Sequence, residues 1–165
     1  MLRRPFSVHV FLFRRTPAGK HEFMLFMRRP REAFGLPAFW QGITGALEEG
    51  ETFLDGAKRE VREETGLEGM DIHFTGFVAH YPIRAAWRVQ FGEGPDHVEE
   101  RAACGEVAAD AQVRLSEEHS AWGWFTVEQA TGLLTTGHNL ESFKSVLDLL
   151  RIDAFRAAVP PACDQ

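Results

Sequence analysis

The segment Gly45–Leu67, GALEEGETFLDGAKREVREETGL, constrains this chain more than any other part of it. A glycine is followed after five residues by Glu51, and after seven more by Arg59-Glu60-Val61. Arg62, the pair Glu63-Glu64, Thr65 and the stop Gly66-Leu67 complete the pattern. Thr52 followed by Asp55 is a capping-box helix start. Gly66 stands where a glycine ends a helix. The spacing therefore predicts a helix from Thr52 to Thr65, on which Glu60, Glu63 and Glu64 share one face at i, i+3 and i+4. Leu54, Ala57 and Val61 form a neighbouring apolar stripe that can pack on a sheet.

Three carboxylates on one helix face repel one another. A cation neutralises such a cluster, and hard oxygen ligands suit Mg²⁺ or Mn²⁺. Mg²⁺ typically takes one or two carboxylates and leaves its other positions to water and phosphate oxygens. The alternative is a solvated acidic face with Arg59 and Arg62 as surface partners. The number of fixed positions in the segment weighs against that alternative.

The segment resembles the box of the Nudix hydrolases, with every defined position filled. The resemblance implies an α/β (α+β) fold, a Nudix-type α/β/α sandwich with a mixed β-sheet between helices. It also implies an enzyme acting on phosphoanhydride bonds with Mg²⁺, or Mn²⁺, as cofactor. Carried over by position, it implies Glu60 and Glu64 as the principal metal ligands. Glu63 would be a further ligand or act through a metal-bound water. Glu51 would contribute to a metal or hold Arg59, and Arg59 would orient the glutamates. The Thr44 carbonyl would complete the metal shell, with Gly45 permitting close backbone approach. The implied reaction is attack of water on a phosphorus of a diphosphate, with the metal polarising the phosphoryl oxygens. The family usually adds a general base from a loop before a late strand. Glu118, beside Glu117 in SEEHSAWGWF, is the candidate here, and Glu63 is the alternative.

The chain has 165 residues, a length that suggests one domain with a sizeable core. We expect that domain over residues 1–157, with a frayed tail at 158–165. Composition is ordinary for a globular protein, 44% hydrophobic and 25% charged. No apolar run is long enough for a transmembrane helix, and MLRRPFSVHVFLFRR reads as a strand rather than a signal peptide. Cys104 and Cys163 are too few for a disulfide framework or zinc site, so a reducing cytoplasm is the expected setting. The net charge of −6 and the lack of a basic stripe argue against a nucleic-acid polymer as partner. A small anionic substrate stays open, because a metal can reverse the local sign. The cluster Arg28, Arg29, Arg31 either serves phosphates or solvates a strand end. The expected partner is a small nucleotide or pterin triphosphate, and the expected assembly a monomer or homodimer.

Along the chain, Ser7–Phe13 and Phe23–Met27 read as a hairpin around a Pro- and Gly-punctuated turn. Arg29–Pro37 is irregular, and Phe39–Ile43 is a short strand leading into the box. Ile72–Tyr81, Ala86–Phe91 and a weak Val98–Val107 read as strands, with a turn at Gly92–Asp96. Ala121–Phe125 is a short aromatic strand. Thr126 with Gln129 caps a helix to about Leu134, and Asn139 caps a last helix through about Phe155.

Specificity must lie outside the box. Trp40 is either a ring-stacking residue or a buried sheet-facing one. The Asn139 amide can read a heterocycle edge or serve as the helix cap. His80, Tyr81 and His138 carry no discriminating signal. FWQGITGALEEGET, EEHSAWGWF and the later HN resemble the bacterial dihydroneopterin triphosphate (dATP) pyrophosphohydrolase branch of the family. In that branch the residue at Glu118 is a metal-site carboxylate. GEGPDHVEERAACGEV departs from the branch. Dinucleoside polyphosphates and nucleotide sugars remain alternatives, and a non-catalytic nucleotide-binding regulatory module is an alternative of another class.

Overall fold

A computed structural model describes residues 1–158, with side chains through residue 151. Of the expected tail at 158–165, Ala158 ends the last helix, and residues 159–165, including Cys163, lie outside the described residues. In chain order the elements are β1 (Phe6–Arg15), β2 (His21–Arg28), β3 (Phe39–Gln41), β4 (Ile43–Ala46), α1 (Phe53–Thr65), β5 (Ile72–Pro82), α2 (Arg88–Phe91), β6 (His97–Glu106), β7 (His119–Phe125), α3 (Val127–Leu133) and α4 (Asn139–Ala158). Short 3-10 turns at Glu32–Phe34 and Ala85–Trp87 fill two of the connections.

The seven strands form one sheet, ordered β3-β2-β1-β6-β5, with β4 also on β1 and β7 on β2. β1 and β6 are parallel, and the other pairings are antiparallel. The hairpin pairs only from Leu12↔Met24 to Arg15↔His21. Below that point β1 pairs with β4, from Val10↔Ile43 to Ser7↔Ala46. β2 pairs there with β3, from Phe26↔Gln41 to Arg28↔Phe39. The 39–46 segment is thus wedged between two diverging strands and changes partner at Gly42. A Cβ at Gly42 would lie 2.7 Å from the Val10 carbonyl oxygen, so the crossing requires glycine.

Alternation on β1 separates two cores. Val8, Val10 and Leu12 pack with Met24, Phe26, Ile43, Ala57 and Val61 beneath α1. Phe11, Phe13, Phe23 and Leu25 pack with Ala130, Leu134, Phe143 and Val146 of the α3–α4 layer. The period-two pattern of a strand buried on both faces forces this division, and the result is the α/β/α sandwich with a mixed sheet.

Two expectations are corrected. Ala86–Phe91 is helical, and its burial shows why. Trp87, Val89 and Phe91 would share a face on a strand. Instead Phe91 is buried while Val89 is 84% exposed, because Trp87 and Phe91 meet at helical spacing over Ile83 and Val98. Leu54 is 39% exposed. The apolar stripe of α1 runs instead through Phe53, Ala57 and Val61, with the Phe53 ring edge-on to Phe6 at 6.0 Å. The expected strand Val98–Val107, weak in sequence, falls on β6 (His97–Glu106), an interior strand paired on both sides.

Candidate active site

The α1 platform is set by its own ends. The Thr52 side chain accepts from the Asp55 N–H, and the Asp55 carboxylate accepts from the Thr52 N–H at 3.0 Å. Gly66, at φ 75°, closes the other end in the left-handed conformation. This rotation buries Glu60 and Glu64 against the sheet, at 8% and 5% exposure, and leaves the Glu63 side chain half exposed.

Glu60 lies against the backbone of β4. A Cβ at Gly45 would collide with its carboxyl group, so glycine is what lets this acid reach the strand. Arg59 organises the cluster. Its Nε and Nη2 donate to the two Glu51 oxygens at 2.7 and 3.0 Å, a forked pair. Its Nη1 donates to Glu60 at 2.8 Å and to Glu63 at 3.1 Å, and Nη2 reaches the Ala46 carbonyl at 2.8 Å. Glu51 therefore holds Arg59, and it also accepts from the Glu48 N–H at 2.7 Å. The Arg59 hydrogen bonds keep the Glu51 carboxyl below its usual range. Burial pushes the Glu60 carboxyl up to about 7 against the opposing pull of Arg59, and the neighbouring Glu63 and Glu64 push the same way.

Glu64 is held from the opposite direction. The Ser116 hydroxyl donates to its Oε2 at 2.6 Å, and His119 Nδ1 lies 2.7 Å from the same oxygen. His119 is buried, and the Gln41 amide contacts its Nε2 at 3.4 Å. An amide donating there places the ring proton on Nδ1, facing Glu64. Burial alone would raise the Glu64 carboxyl, but the His119 and Ser116 bonds outweigh it and hold it below its usual value. The backbone repeats the contact, with Ser116 N–H to Glu64 O at 3.3 Å and Arg114 N–H to Thr65 O at 2.8 Å. The loop carrying Glu118 is thereby tied to the end of α1. Glu118 itself is about half exposed and pairs with Arg28 Nη2 at 2.9 Å. Arg29 braces this loop, donating from Nε to Glu117 O at 2.9 Å and from its backbone to Glu118 O at 3.0 Å.

A cavity of about 360 Å³ opens on the other side of β4, where Thr44 and Ala46, flanking Gly45, line its wall. Its apolar walls include Phe39, Tyr81, Trp87 and Val98, and its polar lining includes Ser7, Arg31 and Glu100. Asn139 and His138 also line it. Asn139 is the first residue of α4 rather than its cap. The Ser142 N–H bonds to the His138 carbonyl, so His138 holds the capping position. The Asn139 amide instead donates to the Trp40 carbonyl at 3.3 Å. The Trp40 ring packs edge-on to Phe125 at 5.1 Å within the α3–α4 core, and neither Trp40 nor Arg29 lines the cavity. His80 is exposed and does not line it.

Sequence reasoning passed over Ser116, His119, Gln41, Ser7 and Glu100. The Glu118-His119 pair was visible, but only its acid was singled out. Glu100 was hidden in a strand whose facing could not be read from its Ala-rich residues.

Among the described residues no three His, Cys, Asp or Glu side chains already converge as a metal cage. Glu60 leans on Arg59 and β4, and Glu64 leans on Ser116 and His119. The residues nevertheless fit a hard divalent cation. A site of one or two carboxylates plus backbone oxygen suffices for Mg²⁺, and Glu60, Glu63 and Glu64 share one face of α1, with Glu60 against the β4 backbone at Gly45.

Comparison with known proteins agrees with the box and the fold. The NUDIX domain model matches residues 3–148. Dihydroneopterin triphosphate diphosphatase of Escherichia coli K12 is 26% identical over 146 residues, covering 86% of this chain and 91% of the relative. The structure of the E. coli dihydroneopterin triphosphate pyrophosphohydrolase superposes with a TM-score of 0.72 at 24% identity, over 90% of this chain and 99% of that one. An octanoyltransferase of Myxococcus xanthus is 37% identical over 114 residues, 68% of this chain, yet the chain spans only 29% of that relative's length. With an intact box on a capped helix, its carboxylates against the glycine strand, and a family model matched over nearly all of the chain, the protein belongs to the Nudix family of hydrolases acting on phosphoanhydride bonds.

Proposed function

We propose that the chain is a Mg²⁺-dependent pyrophosphohydrolase. It cleaves a (deoxy)nucleoside triphosphate or dihydroneopterin triphosphate and releases pyrophosphate. The observation that carries this reading is the single strand between the two halves of the site. Glu60 presses on one side of Gly45, and the cavity begins at Thr44 and Ala46. On this reading the ring occupies the cavity and the triphosphate extends past β4 toward the carboxylates, which do not themselves line the cavity. A volume near 360 Å³ is at the small end for ligand sites and suits one ring system rather than two nucleosides. This favours a triphosphate over the dinucleoside polyphosphate and nucleotide-sugar alternatives. The E. coli relative named for dihydroneopterin triphosphate supports the same choice.

Glu60, Glu64, Glu63 and the Thr44 carbonyl would hold the divalent ion, which supplies neutralising charge and polarises the phosphoryl oxygens. Arg59, locked by Glu51, orients Glu60 and Glu63. His119 and Ser116 orient Glu64. Water adds to one phosphorus of the α–β anhydride while the bridging oxygen leaves with the other. The water proton passes to Glu118, on the loop tied to α1, with Glu63 the second choice as base. The setting of this reading is a single domain over 1–157 in a reducing cytoplasm, as monomer or homodimer. No helix among the described residues is long and apolar enough to cross a membrane.

The test is a panel of deoxynucleoside triphosphates, dihydroneopterin triphosphate, nucleotide sugars and dinucleoside polyphosphates with Mg²⁺, with pyrophosphate and phosphate measured separately. Pyrophosphate release from a triphosphate, lost in Glu64→Gln with an unchanged circular-dichroism spectrum, is the expected result. Full activity in that variant refutes the role of Glu64. Binding without any turnover across the panel replaces the enzyme with a regulatory module.

A further inference from the structure

Resting on the triphosphate reading above, we propose that Glu100 selects the ring. It is a specificity residue for heterocycles that carry an N–H beside an amino group, the 2-amino-4-oxo edge shared by guanine and pterin.

Glu100 comes from the middle of β6, directly opposite Ser7 of β1. It is 8% exposed, yet it lines the cavity. An acid this buried is ordinarily paired or well hydrogen-bonded. Glu100 is under-supplied. Its Oε2 accepts one long bond from the Ser7 hydroxyl at 3.3 Å. Its Oε1 lies 3.6 Å from His9 Nδ1, beyond hydrogen-bond reach. His9 cannot turn to close that gap. Its Nε2 accepts from the Gly42 N–H at 3.0 Å, and its ring is stacked on Phe11 at 4.4 Å. Nδ1 is accordingly left without a hydrogen-bond partner among the described residues. The cavity wall therefore includes a carboxylate with unused acceptor capacity together with the aromatic rings of Phe39 and Trp87.

That acceptor discriminates among rings. Two parallel N–H donors match both oxygens of a carboxylate, as in a forked guanidinium pair. Guanine and pterin present such a pair. Adenine and cytosine set a ring-nitrogen lone pair beside their amino group. Thymine flanks its N–H with two carbonyls. Each of these would place an acceptor against Glu100. Arg31 lines the same cavity, and its guanidinium is the cationic donor group that would meet the ring carbonyl next to the donor pair.

Two measurements test this. The first is kcat/KM for dihydroneopterin triphosphate and dGTP against dATP, in the wild type and in Glu100→Gln. Wild type is expected to prefer the amino-oxo substrates roughly 10- to 100-fold, and Glu100→Gln to bring the ratio to within about threefold. The second is calorimetric binding of GMP, IMP and AMP to the wild type. GMP is expected to bind about tenfold or more tighter than IMP, which lacks the 2-amino group, and than AMP. This arm needs neither turnover nor a folded variant, so it still decides the edge if the panel shows no hydrolysis. Equal affinities for GMP and IMP overturn the proposal. So does a Glu100→Gln variant that loses activity on dGTP and dATP alike, which would make Glu100 a support for Ser7 and His9.

Discussion

The two sides of β4 are built on opposite principles. On the α1 side every acid has a fixed partner: Glu51 on Arg59, Glu60 on Arg59, Glu64 on Ser116 and His119. On the cavity side Glu100 and Arg31 have hydrogen-bonding capacity to spare. On the proposed function the first arrangement costs little at the moment of reaction, because the groups are already placed. The second leaves polar atoms waiting for a ligand, and it rejects a ring that cannot supply their partners. Chemistry common to a family needs fixed charges, whereas choice among substrates needs unsatisfied ones.

The comparison can be broken by mutation, beginning where the effect is largest. Glu60→Gln should lower kcat for every substrate on the order of 10³-fold and leave the guanine-to-adenine preference intact. A change of preference would show that the two sides are not separate. Gly45→Ala places a methyl group where the Glu60 carboxyl lies. A loss of roughly 10²-fold in kcat is expected, with little change in GMP affinity by calorimetry.

His119→Ala removes a partner of Glu64; His119 does not line the cavity, although its contact Gln41 does. It should weaken Mg²⁺ activation 10- to 100-fold, read from the metal concentration giving half-maximal rate, and saturating metal should restore most of kcat. An unchanged Mg²⁺ titration would make His119 a packing residue only. Trp40→Phe should leave the GMP-to-AMP ratio alone and destabilise the protein by about 1–2 kcal/mol in urea, because the ring packs on Phe125. A shifted ratio at unchanged stability would extend the cavity to Trp40.

The smallest effect is expected at the helix cap. Hydrogen bonds from the Thr52 side chain and backbone hold the Asp55 carboxyl below its ordinary value. A depressed acid adds stability above its unfolded pKa and loses it as pH falls through the folded value. Asp55→Asn should therefore lower Tm by about a degree or two at pH 7, with the difference vanishing in acid. Neither Mg²⁺ activation nor ring preference should move.

Legibility divides along the same line. The α1 helix could be read to within a residue, because Thr52, Asp55 and Gly66 act on their own neighbours in the chain. The shared face of Glu60 and Glu64 followed from helical spacing alone. Ala86–Phe91 was misread because its aromatic and β-branched residues fit a strand locally. Only the burial of Phe91 over Ile83 and Val98 makes it a helix. Trp40 illustrates the same limit, since an aromatic beside the box has no facing until β3 finds its partner in β2.

By itself the sequence determined the capped acidic helix, the glycine that lets an acid approach the backbone, and hence the class of reaction. Those features depend on residues at most a few turns apart. Tertiary structure alone decided which polar groups share the cavity. Ser7, Arg31, Glu100 and Asn139 come from separate segments brought together by strand pairing and by the wedge of residues 39–46. Whether Glu100 faces the α1 core or the cavity depends on strand register, where a slip of one residue reverses every side chain.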